Sequence, residues 1–280
     1  MSSAAKSLTV AKGGGLARPP SHSLRQRVID SAWTYRLIAL AIIATIWQVY
    51  ATAADSLLIP TFTETVQGVI TLLTRPETYE AFFISNQALV IGFTAAVLVG
   101  IPTGLAAARY TTFEGALDPY LSILLVTPMA ALIPILLMSL GIGIEARVLL
   151  VIVFSIPVII VNSRTGVRQV DAGLIEMATS FGATERQIWR KVLLPGALPS
   201  VMTGIRLGLG RGITGMVIIE LLMVAVGIGY LILEFRGFFQ SGLLYGTVIL
   251  VVLEALILIS IVRWIEHRLA PWARDSGLRE

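Results

Sequence analysis

Six long apolar runs separated by short polar connections organise the chain, at about 37–54, 84–108, 119–140, 147–162, 200–226 and 242–262. Crossing the hydrocarbon core of a bilayer takes about 20 mostly apolar residues in a helix. The pattern therefore predicts an all-α membrane protein of about six transmembrane helices. Residues 1–35 are polar, contain Gly13-Gly14-Gly15 and Pro19-Pro20, and lack the apolar core of a signal peptide. They read as a flexible cytoplasmic tail. A transmembrane domain over 36–268 and a short cytoplasmic tail over 269–280 complete the expected organisation. Residues 55–80, with Pro60 and Pro76, predict a short interfacial helix, and Gly141 and Gly143 a tight turn over 141–146. The aromatic stretch 227–241, with Tyr230, Phe235, Phe238 and Phe239, suits a re-entrant or interfacial element. Pro128 and Pro134 are expected to interrupt the third run and Pro157 the fourth. No inverted repeat is evident.

Composition sharpens this picture. Hydrophobic residues make up 56% and charged residues 14% of the chain, and the mean hydropathy is +0.84. Soluble domains average about 45–50% apolar and about 25% charged. The last run carries Glu254, which costs about 2.5–3.5 kcal/mol at a helix centre, but each surrounding Leu, Ile or Val returns about 0.3–0.6 kcal/mol. Insertion wins. There is no cysteine, and His22 and His267 both lie outside the apolar runs, so no metal centre is expected. The net charge of +4 is spread between the runs rather than gathered in a patch, which argues against nucleic acid.

The placement of Lys and Arg orients the runs. Lys6, Lys12, Arg18, Arg25, Arg27 and Arg36 precede the first run, and Arg109 lies in the second connection. Arg164, Arg168, Arg186, Arg190 and Lys191 fall in the fourth, and Arg263, Arg268, Arg274 and Arg279 at the C-terminus. Only Arg75, Arg147 and Arg236 fall on the other side. Both termini are therefore expected to be cytoplasmic.

The longest cytoplasmic connection, about 163–199, carries the most information. Asp171 is placed to cap a helix from Ala172 to about Phe181, with Leu174, Ala178 and Phe181 on one stripe. Gly182 stands where a helix end favours positive φ. Thr184 and Gln187 have capping-box spacing for a second helix, which Ile188, Val192 and Pro195 are expected to close. Two readings fit such a basic helix pair: a surface element among lipid headgroups, or a docking corner for a cytoplasmic partner.

Glu176-Met177-Ala178, then Gly182, Val192 and Leu194-Pro195, closely resembles the E-A-A-x3-G-x9-I-x-L-P signature of ABC importer permeases, with Met177 and Val192 as conservative departures. Gly166-Val167-Arg168-Gln169-Val170-Asp171, Gly204-Ile205-Arg206-Leu207-Gly208-Leu209-Gly210-Arg211 and Gly227-Ile228-Gly229-Tyr230-Leu231-Ile232 look like the nitrate/sulfonate/taurine branch of that family. The resemblance covers about 80–265. It implies a type I importer permease architecture in the bacterial cytoplasmic membrane, and a transport subunit rather than an enzyme. Glu176, Met177, Ala178, Gly182, Ala183 and Thr184 would then form the corner that couples to a cytoplasmic ATPase dimer. ATP and Mg would be bound by that partner and no cofactor by this chain. A second permease copy or homologue, and an extracytoplasmic solute-binding protein, would complete the assembly in the lipid. The solute would be a small organic or inorganic anion such as a sulfonate, taurine, nitrate or an aromatic acid.

The absent motifs agree with this. No G-x4-G-K-[S/T], H-E-x-x-H or G-x-S-x-G occurs, so the chain lacks a phosphate loop and the usual catalytic groups. Candidate pathway residues are the ionisable groups in or near the runs: Arg206, Arg211, Glu220 and Glu254. Each has a structural alternative, headgroup snorkelling for the arginines and helix–helix hydrogen bonding for the carboxylates. Gly204, Gly208 and Gly212 share one helix face, for close packing within the chain or against a second copy. The rival reading is an ion-coupled secondary transporter using Glu220 and Glu254.

Overall fold

The computed structural model describes residues 32–222 and 226–271, so most of the expected tail over 1–35 and most of the C-terminal tail lie outside the described residues. The regular elements found there are helical. They run α1 (Ala32–Ala54), α2 (Phe62–Thr74), α3 (Pro76–Arg109), α4 (Thr111–Val126), α5 (Ile133–Leu140) and α6 (Ile144–Arg168). After these come α7 (Ala172–Ser180), α8 (Glu185–Ile188), α9 (Leu194–Leu222), α10 (Gly227–Gly237) and α11 (Ser241–Leu269). Five of the described helices are long and apolar enough to cross a membrane: α1, α3, α6, the continuous stretch Glu185–Leu222, and α11.

The sixth expected crossing, 119–140, is not one helix. It is split into α4 and α5 by a short 3-10 turn, Met129–Leu132. Pro128 is the cause. Proline pushes the residue before it out of helical conformation, and Thr127 is extended at φ −60°, ψ 129°. Pro134 starts α5 rather than breaking it, in the first turn where no N–H is missed. Pro157 does not interrupt the fourth run either: it lies buried inside a continuous α6.

α6 is the centre of the bundle, gripped between α3 and α9. Its two neighbours present stripes of small residues that let the backbones approach. On α3 the buried face reads Ala81, Ser85, Ala88, Gly92, Ala96, Gly100, Gly104 and Ala107, recurring every third or fourth residue. A Cβ at Gly92 would stand 2.7 Å from the Val148 carbonyl oxygen, and one at Gly100 2.9 Å from Ile159 Cγ2. On α9 a Cβ at Gly204 would lie 2.7 Å from Asn162 Cβ, and one at Gly208 2.8 Å from Ile159 Cγ1. The α9 glycines thus pack within the chain, against α6. Leu89, Val151, Leu209, Ile213 and Met216 fill the core between the three helices.

The remaining helices are held from one end. α2 starts at a capping box, with Glu64 N–H donating to Thr61 Oγ1 at 3.2 Å and Thr61 N–H to Glu64 Oε2 at 2.8 Å. It lies against the first turns of α11, where Gly242 and Gly246 admit its backbone. α1 joins the same end through Trp47, whose Nε1–H donates to the Pro60 carbonyl at 3.0 Å. The outward faces of α1 and α11 are apolar and exposed, as helices facing lipid require.

Candidate functional site

At one end of the bundle a two-helix corner projects from the ends of α6 and α9. Asp171 accepts from Gly173 N–H at 2.7 Å and starts α7. At the other end of α7, Ala183 N–H donates to the Ala178 carbonyl at 3.0 Å and Gly182 N–H to that of Thr179 at 2.9 Å. This pair of bonds is a Schellman cap, which needs a left-handed residue; Gly182 supplies it at φ 76°. Thr184 N–H then donates to Gln187 Oε1 at 2.7 Å and turns the chain into α8. Glu176, Met177, Gly182 and Thr184 are exposed, while Ala178 and Ala183 are half-buried. No residue of α7 is buried, and its stripe residues Leu174 and Phe181 are 47% and 85% exposed. The corner therefore carries an apolar surface that nothing in the described chain covers.

The second corner helix does not stop at Pro195. A π turn, Trp189–Leu193, carries α8 directly into α9, with Leu194 N–H bonding back five residues to the Trp189 carbonyl. The wider turn relieves the steric conflict that proline would otherwise have with the carbonyl four residues earlier. The corner is consequently continuous with a membrane-spanning helix, and Arg109 at the end of α3 pairs with Glu185 at its base. Glu114 on α4 binds Arg164 and Arg168 on α6 at the same end.

The four ionisable pathway candidates separate in the structure. Glu254 accepts from Asn86 on α3, a helix–helix contact. Arg206 pairs with Glu266 of α11 at 3.3 Å. Glu220 is fully buried at the end of the bundle opposite the corner. Ser85 Oγ–H donates to it from 2.8 Å, and Gly229 N–H from 3.2 Å. Ile228 N–H donates to Ser85 Oγ at 3.0 Å, so the first turn of α10 closes onto the same knot. Gly227 permits this at φ 61°, where a Cβ would stand 2.9 Å from Glu220 Oε1.

Arg147 completes the knot. Counted from the sequence among the outer-side cations, it lies at the end opposite the corner and is 8% exposed, with Nη1 3.6 Å from Glu220 Oε1 and 3.3 Å from the Ile84 carbonyl. Its position at the edge of an apolar run hid this role; a cation just inside a predicted span is the signal that points to it. Arg211 differs from the rest. It lines a cavity of about 330 Å³ beside the α4–α5 break.

A helical bundle with several membrane-length helices, two of them joined by a capped corner, is the architecture of a polytopic membrane protein. Comparison with known proteins gives the family. The chain matches the family described as "Binding-protein-dependent transport system inner membrane component" over residues 100–275, and it belongs to that family. It is 29% identical to the taurine transport system permease protein TauC of Escherichia coli (strain K12), over 85% of this chain and 90% of the relative. It is 30% identical to SsuC of Bacillus subtilis (strain 168), a permease protein named for aliphatic sulfonates transport, over 86% of this chain and 88% of the relative. Among solved structures, an inward-facing conformation of the MetNI methionine ABC transporter aligns with a TM-score of 0.54 at 22% identity. That alignment covers 72% of this chain and 96% of the other, and marks the fold as that of a type I importer permease.

Proposed function

We propose that this chain is the membrane-spanning half of an ATP-driven importer for a small anion of the sulfonate, taurine or nitrate kind, in a bacterial cytoplasmic membrane. The observation that carries the reading is the exposed, doubly capped corner at Gly182, continuous with α9. Glu176, Met177, Ala178, Gly182, Ala183 and Thr184 form the face that docks on a cytoplasmic ATPase dimer, which binds the ATP and Mg. A second permease copy or homologue completes the pathway, and an extracytoplasmic binding protein delivers the solute. The names of the similar permeases support the solute class. An ion-coupled transporter is not favoured: of its two candidate carboxylates, Glu220 is locked in a buried ion pair and Glu254 bonds a neighbouring helix.

Rigidity is what suits the corner to coupling. Its caps satisfy the helix ends, and α6 and α9 hold both its roots, so displacement at α7 is passed to the bundle instead of being absorbed by a loop. Both termini fall on the corner side in this reading. α11 runs from the α2 end back to Glu266, beside Arg206, and α1 attaches to the α2 end by its last turns.

The test is affinity purification of the tagged chain, expressed with its native partners in mild detergent, beside Glu176→Lys and Gly182→Asp variants. A phosphate-loop ATPase should accompany the wild type and be lost from the variants, because aspartate adds both backbone strain of about 1–2 kcal/mol and charge at the contact. An equal yield of ATPase with all three proteins would remove the docking role from this corner.

A further inference from the structure

Arg211 is a cation well inside the α9 span. Arg147, Arg164 and Arg206 each have a carboxylate within 4 Å, whereas Arg211 pairs with none among the described residues. An unpaired cation at membrane depth is expensive, and such groups face aqueous cavities or ligands. Beside it lies an open hollow of about 330 Å³ lined by Arg211, Thr127, Thr214, Pro128, Phe154 and Pro157, with Arg211 and Thr214 themselves exposed, at the small end of the usual ligand-site range of about 300–1,000 Å³. Pro157 lies near the middle of α6, and Thr127 and Pro128 form the break between α4 and α5. Non-helical backbone at membrane depth is tolerated where it lines such a cavity.

We infer that Arg211 is the anion-recognition residue of the translocation cavity, and that the cavity takes a small organic anion with a short apolar body, a sulfonate or a carboxylate. The inference rests on the importer reading above and adds where the solute is held. The guanidinium presents parallel N–H donors that match two oxygens of such a head group. Phe154, Pro128 and Pro157 offer an apolar wall for the carbon chain. Thr127 Oγ1–H is committed to the Ile123 carbonyl and Thr214 Oγ1–H to that of Gly210, so both hydroxyls face a solute as acceptors only. The anion's oxygens therefore have one charged donor to bind, and no carboxylate lines the cavity to oppose them.

The experiment is uptake of labelled taurine and labelled ethanesulfonate by cells carrying the complete transporter, with wild-type, Arg211→Lys and Arg211→Gln chains. Import of at least one probe by wild type should fall roughly tenfold or more with glutamine, the loss expected for a charge-assisted hydrogen bond. Lysine, which keeps the charge but not the fork, should stay well above glutamine. Wild-type-like import by Arg211→Gln, equal losses with lysine and glutamine, or import of neither probe by wild type would each overturn the inference. ATPase co-purification with the wild type is independent of all three, so the importer reading is judged separately. A Thr214→Cys variant keeps Arg211 and guards against misfolding of the others, since the chain has no other cysteine. There a sulfonate-bearing thiosulfonate reagent should react several-fold faster than its ammonium-bearing counterpart; the opposite order counts against the inference.

Discussion

At Glu220, a single side chain ties four parts of the chain together. Ser85 of α3, Arg147 of α6 and the Gly229 amide of α10 all converge on its carboxylate at the end of α9. A buried ion pair adds little over a well-packed apolar substitute, but losing one partner leaves the other charge uncompensated, at about 3–5 kcal/mol. Glu220→Ala should therefore lower the melting temperature in detergent by several degrees, since 1 kcal/mol is worth about 2–4 °C in a domain of this size. Adding Arg147→Ala should recover part of the loss, because the stranded cation is gone. A melting point for Glu220→Ala equal to wild type would mean that the pair is not closed in the membrane-extracted protein. Glu220 was visible in the sequence as an ionisable residue inside an apolar run. Its partners were not: Ser85 lies 135 residues away, and no local pattern links the two.

Helix packing obeys the small-residue stripes, and those were only half legible. The α9 glycines announce themselves at four-residue spacing, but spacing alone does not say what they face; the structure places α6 there. The α3 stripe mixes alanine, serine and glycine, so it escapes a search for glycine repeats although its period is the same. Gly208 and Gly210 give a clean contrast. A Cβ at Gly208 meets Ile159 at 2.8 Å, whereas one at Gly210 meets nothing within 4 Å. Gly208→Ala should then destabilise by about 1–3 kcal/mol through overpacking, and that cost should shrink in an Ile159→Ala background, which lacks the Cγ1 and Cδ1 atoms the new methyl meets. Gly210→Ala should stabilise slightly or do nothing, as alanine is the better helix former by about 1 kcal/mol. Thermal melts of these variants decide this, and equal behaviour at both glycines would count against the α6–α9 contact. The caps and the glycine turn of the corner were legible, because they depend on neighbours within four or five residues. The π turn was not, since a proline after a short amphipathic helix reads as a stop unless the wider turn before it is known.

Across the whole molecule, the importer reading makes α9 a lever between the corner and the Glu220 knot. Its 29 residues rise about 1.5 Å each, giving a rod longer than the hydrocarbon core of about 30 Å. The corner is fused to one end and the Glu220 knot clamps α10 to the other, while α6 runs alongside from Arg147 to Arg168. In that reading a push on α7 would be delivered as motion of α6 and α9 together, with the Arg211 cavity on the flank of that pair. This geometry requires Phe181, at the corner, and Phe238, just after α10, to lie on opposite sides of the membrane. The absence of native cysteine makes the requirement directly measurable. Phe181 and Phe238 are 85% and 70% exposed, so replacing either by cysteine gives one accessible thiol without opening the core. A membrane-impermeant maleimide should label Phe181→Cys only in inverted vesicles and Phe238→Cys only in right-side-out ones. Labelling of both from one side would break the lever, because the corner and the knot would then share a membrane face and α9 would not cross. Labelling from opposite sides but in the reverse sense would keep the lever and invert the chain, which would place the basic connections outside and withdraw the corner from any cytoplasmic ATPase.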